Sequence, residues 1–212
     1  FEKLKLISSI KAVRLNGTGV NLSRFKYRTN VVGNKVKFIM ICRLLKEKGI
    51  KEYCQAAKTI KSEYAGHVNF SLVGNFDYSS DGITQDELKD YTQNHVDYLG
   101  ETDTVIDFLK SHNVFVLPSY YREGVPRIIM EAMAIGLPII TTDSPGCRDT
   151  INGKNGILII PKSVSSLVNA IRAMINERDN IEKMSFESRK HVEKKFDINI
   201  VNSKIITSME LV

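Results

Sequence analysis

The chain has 212 residues, with 30 Lys and Arg against 24 Asp and Glu and a formal net charge of +6. Its hydrophobic content of 42% and charged content of 25% are ordinary for a globular protein, which excludes wholesale disorder and collagen-like sequence. No apolar stretch approaches the ~20 residues of a membrane-spanning helix, and no signal peptide is recognisable. Because the first residue is Phe1 and not Met, we expect the chain to be part of a longer protein.

Six short apolar segments alternate with segments of helical periodicity. In chain order they are Val36–Cys42, Val68–Val73, Val96–Leu99, Val114–Pro118, Pro138–Thr142 and Gly156–Ile160. Most are apolar nearly throughout, which is typical of strands buried on both faces. Strand and helix in alternation predict an α/β fold, a Rossmann-like parallel sheet of about six strands flanked by helices.

The two ends of the chain depart from this alternation. Phe1–Ser9 has the pattern of a helix end, and Lys11–Asn16 that of a short strand running into the Gly-rich turn NGTGV. Arg178–Phe196 is highly charged and has helical character. Asp197 is placed to cap a last helix that extends through Met209.

The three cysteines and four histidines are scattered, and no C-x-x-C pair occurs. Structural zinc needs four nitrogen or sulfur ligands at close spacing, so the sequence predicts no such site. Reduced thiols are the expected state of the cysteines.

The segment after the first predicted strand lacks the G-x-G-x-x-G of dinucleotide-binding domains. It reads Arg43-Leu-Leu-Lys-Glu-Lys48-Gly49. Ligands of open parallel sheets bind in the crevice at the carboxyl ends of the strands. A guanidinium and an ammonium group at that edge suit a diphosphate. For Lys48 the alternative is a solvated first turn of the following helix.

Two glutamates, Glu123 and Glu131, occur in the stretch LPSYYREGVPRIIMEAMAIGLPIITTD. Pro126 suits the first turn of a helix and Gly136 its end. Glu123 then lies in the loop before this helix, and Glu131 lies about one and a half turns inside it.

Unpaired backbone N–H groups near Gly124, Val125 and Arg127, together with the helix dipole, predict an anion site at the start of this helix. Carboxylates on either side can accept hydrogen bonds from hydroxyl groups. A diphosphate flanked by two polyols fits this layout, and a nucleotide sugar is such a ligand. The alternatives are an exposed helix glutamate for Glu131 and a dipole-stabilised loop charge for Glu123.

Four motifs in this order resemble the C-terminal half of family-four glycosyltransferases, which are retaining enzymes of the GT-B fold. They are Arg43-x4-Lys48-Gly49, LPSYYREGVP-x4-EAMAIGLPIITTD, PGCRDTI and NGKNGILI. The spacing Glu123-x7-Glu131 matches the E-x7-E signature of that family. The resemblance extends over residues 14–209, which is nearly the whole chain.

The resemblance implies catalytic roles for three residues. Arg43 and Lys48 would hold the donor diphosphate and neutralise charge on the leaving group, and Glu123 would contact hydroxyls of the donor sugar. Glu131 would bind the ribose hydroxyls. The further nucleotide-binding positions are Gly124 and Val125 at the phosphates or sugar, Leu99, Glu101 and Thr102 at the base, and Gly74 at the edge of the crevice.

The GT-B fold joins two Rossmann-like domains with the active site between them. The resemblance implies that residues 1–30 lead into the domain and form part of the interdomain linker. Residues 31–180 would be the donor-binding domain, and residues 181–212 would be helices of which the last packs on an N-terminal domain. Since that domain supplies the acceptor site, we expect this chain alone to hold the donor without completing transfer.

The resemblance also implies partners. The donor would be a nucleotide sugar, for which we expect uridine, and a hexosyl or acetylhexosaminyl group would be transferred. The acceptor would be a saccharide or a glycan on polyprenyl diphosphate in synthesis of bacterial capsule or lipopolysaccharide. The enzyme is expected in the cytoplasm, at the inner face of the membrane, with peripheral membrane association of the full-length protein. No D-x-D follows a strand, so no cofactor and no divalent metal is expected.

Three other functions compete with this one. A nucleotide-sugar epimerase also binds a nucleoside diphosphate between two such domains, but lacks the run EGVPRIIMEAMAIG. A non-catalytic nucleotide- or sugar-binding module is the second alternative. A nucleic-acid binder is disfavoured, because the basic residues are scattered and not interleaved with aromatics on one face.

Overall fold

The computed structural model describes residues 13–122 and 124–209. Within them, six strands form one parallel sheet in the order β3-β2-β1-β4-β5-β6. The strands are β1 (Val36–Ile41), β2 (Val68–Val73), β3 (Asp97–Tyr98), β4 (Val114–Leu117), β5 (Ile139–Thr142) and β6 (Gly156–Ile159). Each lies inside one of the six apolar segments, so the predicted Rossmann-like α/β class is confirmed.

Two groups of helices accompany the sheet. In the described part of the chain they are α1 (Ile50–Glu63), α2 (Gln85–Thr92), α3 (Ile106–Lys110), α4 (Arg127–Ile135), α5 (Val164–Asn176), α6 (Ile181–Lys195) and α7 (Ile198–Ser208). Helix α1 packs against α2 and α5, whereas α4 packs against α3 and α6. None of these described helices has both the length and the apolarity needed to cross a bilayer.

The centre of the core lies where β1 and β2 meet α1. The rings of Phe38 and Phe70 stack with their centroids 5.0 Å apart, and the Tyr53 ring meets Phe70 edge-on at 5.8 Å. The buried Tyr53 hydroxyl lies within hydrogen-bonding distance of the carbonyl oxygens of Phe38 (3.2 Å) and Ser71 (3.1 Å). A buried hydroxyl without a partner would be destabilising, so these contacts make the tyrosine compatible with the apolar core.

The N-terminal predictions are partly wrong. Residues 13–16 form no strand, although the pattern of Lys11–Asn16 predicts one. The side chains of Val13 and Leu15 are exposed there, and the first strand-like pairing instead joins Val20 to Asp197. The predicted helix end at Phe1–Ser9 lies outside the described residues.

The C-terminal predictions are confirmed. Helix α6 covers most of the charged stretch, and α7 follows it with Asp197 as its N-cap. The Asp197 carboxylate accepts a hydrogen bond from the Asn199 N–H at 2.9 Å. The Val20 N–H also donates to the Phe196 carbonyl at 2.8 Å. The loop before β1 is therefore joined to the junction between α6 and α7.

Gly49 lies where the loop after β1 approaches the end of β4. Its φ of 82° is in the left-handed region that favours glycine. A Cβ added there would lie 2.4 Å from the Pro118 carbonyl oxygen, which is too close for any real contact. Side chains at position 49 would therefore push apart the two loops that border the crevice.

We expect Gly49→Ala to destabilise the protein by about 2–4 kcal/mol, because backbone strain and the contact with Pro118 add. Gly66→Ala is the matched control. Gly66 has a φ of 79°, but an added Cβ meets nothing within 4 Å, so only the strain of about 1–2 kcal/mol applies. Urea unfolding measures the free energy of unfolding of both variants. Equal decreases would show that the contact with Pro118 contributes nothing to the effect at position 49.

Candidate functional site

The order of the strands creates a crevice between β1 and β4. These strands are neighbours, but the chain leaves β1 towards β2 and leaves β4 towards β5, on the opposite side. The two connections therefore diverge at the carboxyl ends of the strands, which is where open α/β sheets bind ligands. A cavity of about 340 Å³ occupies this position. Four of the residues predicted to bind the donor line it, namely Arg43, Lys48, Gly74 and Thr102.

Backbone hydrogen bonds join the loops around the cavity. The Leu44 N–H donates to the Asn75 carbonyl at 2.9 Å, and the Ile83 N–H donates to the Leu44 carbonyl at 2.9 Å. On the other side, the Tyr120 N–H donates to the Glu47 carbonyl at 2.9 Å. The loops after β1, β2 and β4 are thus held in one arrangement by main-chain bonds, which constrain the position of the side chains they carry.

Lys48 ends a 3₁₀ turn, Lys46–Lys48, and is only 7% exposed. Its Nζ lies 4.9 Å from the centroid of the Tyr121 ring, which is within the range of a cation–π interaction. The Tyr121 N–H donates to the Glu47 carbonyl of the same turn at 3.2 Å. The alternative of a solvated first turn is therefore wrong for Lys48, because the loop after β4 covers it.

Arg43 lines the cavity and is paired with Asp77 from the loop after β2. Its Nη1 donates to Asp77 Oδ2 at 2.9 Å, and 61% of its side chain is exposed. Hydrogen bonds from Ser79, together with Arg43, hold the pKa of the Asp77 carboxyl below its usual value. Asp77 is absent from the sequence prediction, although its place after β2, next to β1, would have put it near Arg43. A diphosphate on Arg43 must compete with this carboxylate.

The start of α4 forms the other side of the cavity. Pro126, Arg127 and Ile128 line it, and the first backbone hydrogen bond of the helix runs from the Ile129 N–H to the Pro126 carbonyl at 3.1 Å. The N–H groups of Arg127 and Ile128 therefore precede the helical hydrogen-bond pattern and lie at the positive end of the helix dipole. Pro126 is the N-cap, one residue before the first helical residue.

The structure places none of the described positions predicted before α4 in the lining of the cavity. Glu123 lies outside the described residues. Gly124 and Val125 do not line the cavity. A Cβ added at Gly124 would meet nothing within 4 Å, so the space beside it is open, whereas one added at Gly17 would lie 3.0 Å from the Val125 Cβ. The turn NGTGV thus packs against Val125, the residue before the N-cap of α4, and no local sequence pattern predicts this contact.

The segment predicted to recognise the base reaches the cavity at one residue. Thr102 lines it, whereas Leu99 and Glu101 do not. Gly74 anchors this segment, because its N–H donates to the Gly100 carbonyl at 3.0 Å. A Cβ at Gly74 would lie 1.8 Å from the Cys42 carbonyl oxygen, so the close packing of the loops after β1 and β2 requires glycine here.

Glu131 is buried in α4 and is 8% exposed, so the alternative of an exposed helix glutamate is wrong. Arg127 Nε donates to its Oε1 at 3.0 Å. Burial raises the pKa of the Glu131 carboxyl, and the neighbouring Arg127 acts in the opposite direction without cancelling the effect. Glu131 does not line the cavity, whereas Arg127 does. The i,i+4 spacing of the two residues is the sequence signal that would have identified Arg127.

In residues 13–122 and 124–209, no three His, Cys, Asp or Glu side chains lie close enough together to hold a metal ion. The absence of a divalent metal from the reaction stays a prediction. No disulfide joins Cys42, Cys54 and Cys147, all of which lie in the described part of the chain, and burial raises the pKa of the Cys54 thiol to about 12.

We expect Glu131→Gln to stabilise the protein at neutral pH. A carboxyl whose pKa is raised by folding stabilises the fold only while protonated, and this contribution is lost as the pH rises through the folded-state pKa. A neutral isostere avoids that loss, so the melting temperatures of variant and parent should converge below about pH 4.5. Exposed Glu182 on α6 is the control position, at which Gln should change little. A parent more stable than Glu131→Gln at pH 7 would contradict the assignment.

Comparison with known proteins adds independent findings. The family described as "Glycosyl transferases group 1" matches residues 23–191. The capsular polysaccharide biosynthesis glycosyltransferase CapM of Staphylococcus aureus is 28% identical over 196 residues, which cover 88% of this chain and 51% of CapM. The N,N'-diacetylbacillosaminyl-diphospho-undecaprenol alpha-1,3-N-acetylgalactosaminyltransferase of Campylobacter jejuni is 27% identical over 208 residues, covering 91% of this chain and 52% of that enzyme. The chain thus spans about half the length of these curated relatives.

Solved structures agree on the fold. The crystal structure of Anabaena HepE in complex with UDP superposes with a TM-score of 0.78 at 20% identity, covering 92% of this chain and 56% of HepE. Sucrose-phosphate synthase from Thermosynechococcus elongatus gives a TM-score of 0.78 at 24% identity, covering 93% of this chain and 52% of that one. These neighbours are GT-B enzymes, so the predicted relation to the GT-B fold is confirmed.

Proposed function

The chain belongs to the group 1 glycosyl transferases, and we propose that residues 31–180 bind the nucleotide diphosphate sugar donor of a retaining glycosyltransferase that builds a bacterial surface polysaccharide. The observation that carries the proposal is the cavity between β1 and β4. It brings the cations Arg43 and Lys48 together with the positive end of α4. Three sources of positive potential around one small cavity suit a diphosphate.

The proposed reaction separates a nucleoside diphosphate from an oxocarbenium-like sugar. As the glycosidic bond breaks, negative charge grows on the leaving phosphate, and Arg43, Lys48 and the N–H groups at the start of α4 stabilise it. Glu123 contacts hydroxyls of the donor sugar, and Glu131 accepts hydrogen bonds from the ribose. The acceptor attacks the face from which the diphosphate leaves, which retains the configuration. Glu123 has a binding role here, so the two-carboxylate mechanism of glycosidases does not apply.

The named relatives support the choice of donor and acceptor. HepE was solved with UDP, which agrees with uridine as the base that we propose. The Campylobacter enzyme is named for a diphospho-undecaprenol acceptor, and CapM for capsular polysaccharide. We propose an acceptor of the same class, used at the inner face of the cytoplasmic membrane. We place the acceptor site on the N-terminal domain that pairs with this one. Helix α7 would pack against that N-terminal domain.

The first test is binding of UDP, UMP and uridine to the chain by calorimetry. We expect UDP to bind most tightly, and Lys48→Ala to weaken its binding by about 1.5–3 kcal/mol through loss of a charge-assisted contact. Uridine binding should not change. Lys110→Ala removes the same charge next to the opposite edge of the sheet and is the matched control. Absence of UDP binding, or equal losses in both variants, would overturn the proposal.

A second test separates the two glutamates. Glu131→Ala should weaken UDP and UDP-sugar alike by about 1–3 kcal/mol, because ribose hydroxyls are common to both ligands. Glu123→Ala should weaken the UDP-sugar and leave UDP unchanged. The reverse pattern would exchange the roles of the two residues. If the chain binds UDP but the full-length protein neither hydrolyses a UDP-sugar nor transfers its sugar, the non-catalytic nucleotide-binding module would be favoured.

A further inference from the structure

Arg127 connects the cavity to the buried carboxylate of α4. It is the first residue of the helix and lines the cavity beside Pro126 and Ile128. Its Nε lies 3.0 Å from Glu131 Oε1, one helical turn away. The Arg127 side chain is 69% exposed, whereas that of Glu131 is 11% exposed. One residue thus reaches the ligand space and the carboxylate that the proposed function assigns to the ribose.

The apolar surroundings of Glu131 make its carboxylate depend on the contact with Arg127. Its neighbours along α4, from Ile129 to Ile135, are buried and mostly apolar, and a carboxylate there is costly without a partner. The charged groups that act on it are Arg127 and, more weakly, Arg24 from the loop before β1. The Arg24 guanidinium lies 5.6 Å from the centroid of the Phe25 ring. Arg127 is therefore the direct partner that favours the ionised form.

We propose that Arg127 is a positioning residue for Glu131 in nucleotide binding. It holds the carboxylate ionised and occupies Oε1, so that Oε2 accepts hydrogen bonds from the ribose hydroxyls. An ionised acceptor binds hydroxyl groups more strongly than a protonated carboxyl does. The inference rests on the proposed function, because it presupposes a nucleotide in the cavity. This role differs from that of an ordinary exposed i,i+4 ion pair, which contributes little to the stability of the fold.

The binding experiment compares two probes, UDP and 2′,3′-dideoxyuridine diphosphate, which lacks the ribose hydroxyls. Arg127→Ala should weaken UDP by about fivefold, a loss of about 1 kcal/mol, and leave the dideoxy probe unchanged. In a Glu131→Gln background, Arg127→Ala should cause no further loss, since the carboxylate through which it acts is gone. Arg172→Ala breaks an exposed ion pair with Glu63, between α5 and α1, and should leave both affinities unchanged.

A ligand-free measurement tests the same proposal. Titration of the Glu131 carboxyl by ¹³C NMR should show a higher pKa in Arg127→Ala, because the partner that opposes the effect of burial is removed. On acidification, the loss of UDP affinity should therefore begin at a higher pH in the variant than in the parent. Arg127→Lys keeps a positive charge and should restore part of the affinity and of the pH profile.

The remaining outcomes overturn the inference in distinguishable ways. Equal losses for UDP and the dideoxy probe, with an unchanged pH profile, would mean that Arg127 contacts the phosphates directly. No change in affinity or in the Glu131 pKa would leave Arg127 as a surface ion pair only. A parent chain that binds neither probe, although its Glu131 pKa responds to Arg127→Ala, would overturn the proposed function and this inference with it.

Discussion

The reversal of strand order between β1 and β4 is the constraint on which the candidate site depends. Parallel strands need crossover connections, and right-handed crossovers that lead in opposite directions leave a gap at the carboxyl edge. The motifs after β1 and β4 border this gap although the ends of the two strands, Ile41 and Leu117, are 76 positions apart along the chain. Main-chain hydrogen bonds, such as those from Tyr120 and Tyr121 to the Glu47 carbonyl, then set how closely the two loops approach.

The cations of the site are held by different means. Lys48 is buried beneath the loop after β4 and faces the ring of Tyr121. Arg43 is largely exposed and bonded to Asp77. Lys48, a buried cation in a constrained loop, needs little reorganisation to bind an anion. Arg43 is exposed and must either leave Asp77 to bind an anion or contact both at once. The cavity therefore combines a buried cation in a fixed position with an exposed cation that can exchange its partner.

Glu131, which we propose as the ribose-binding residue, opposes the stability of the fold. Its carboxyl is buried among the apolar residues of α4, and burial raises its pKa despite the nearby arginine. A neutral or apolar residue would fit this environment better. A ligand that donates hydrogen bonds from hydroxyl groups would offset the free-energy cost of burying such a carboxylate, but only while the ligand is bound.

The sequence alone determined the fold class, the six strands and both ends of α4, because these features depend on local periodicity and on the conformations of Pro and Gly. It also identified Arg43, Lys48, Gly74 and Thr102, which the structure brings to one cavity. Its strand at Lys11–Asn16 failed in the described residues, since a local pattern does not reveal whether a neighbouring strand is present. Only the tertiary structure decided that Asp77 pairs with Arg43, that Tyr121 covers Lys48 and that Arg127 lies between the cavity and Glu131. The first two contacts depend on loop paths and side-chain rotations that are set by packing between segments distant in the chain. The i,i+4 spacing indicates the Arg127–Glu131 pair, but no local pattern shows that Arg127 also borders the cavity.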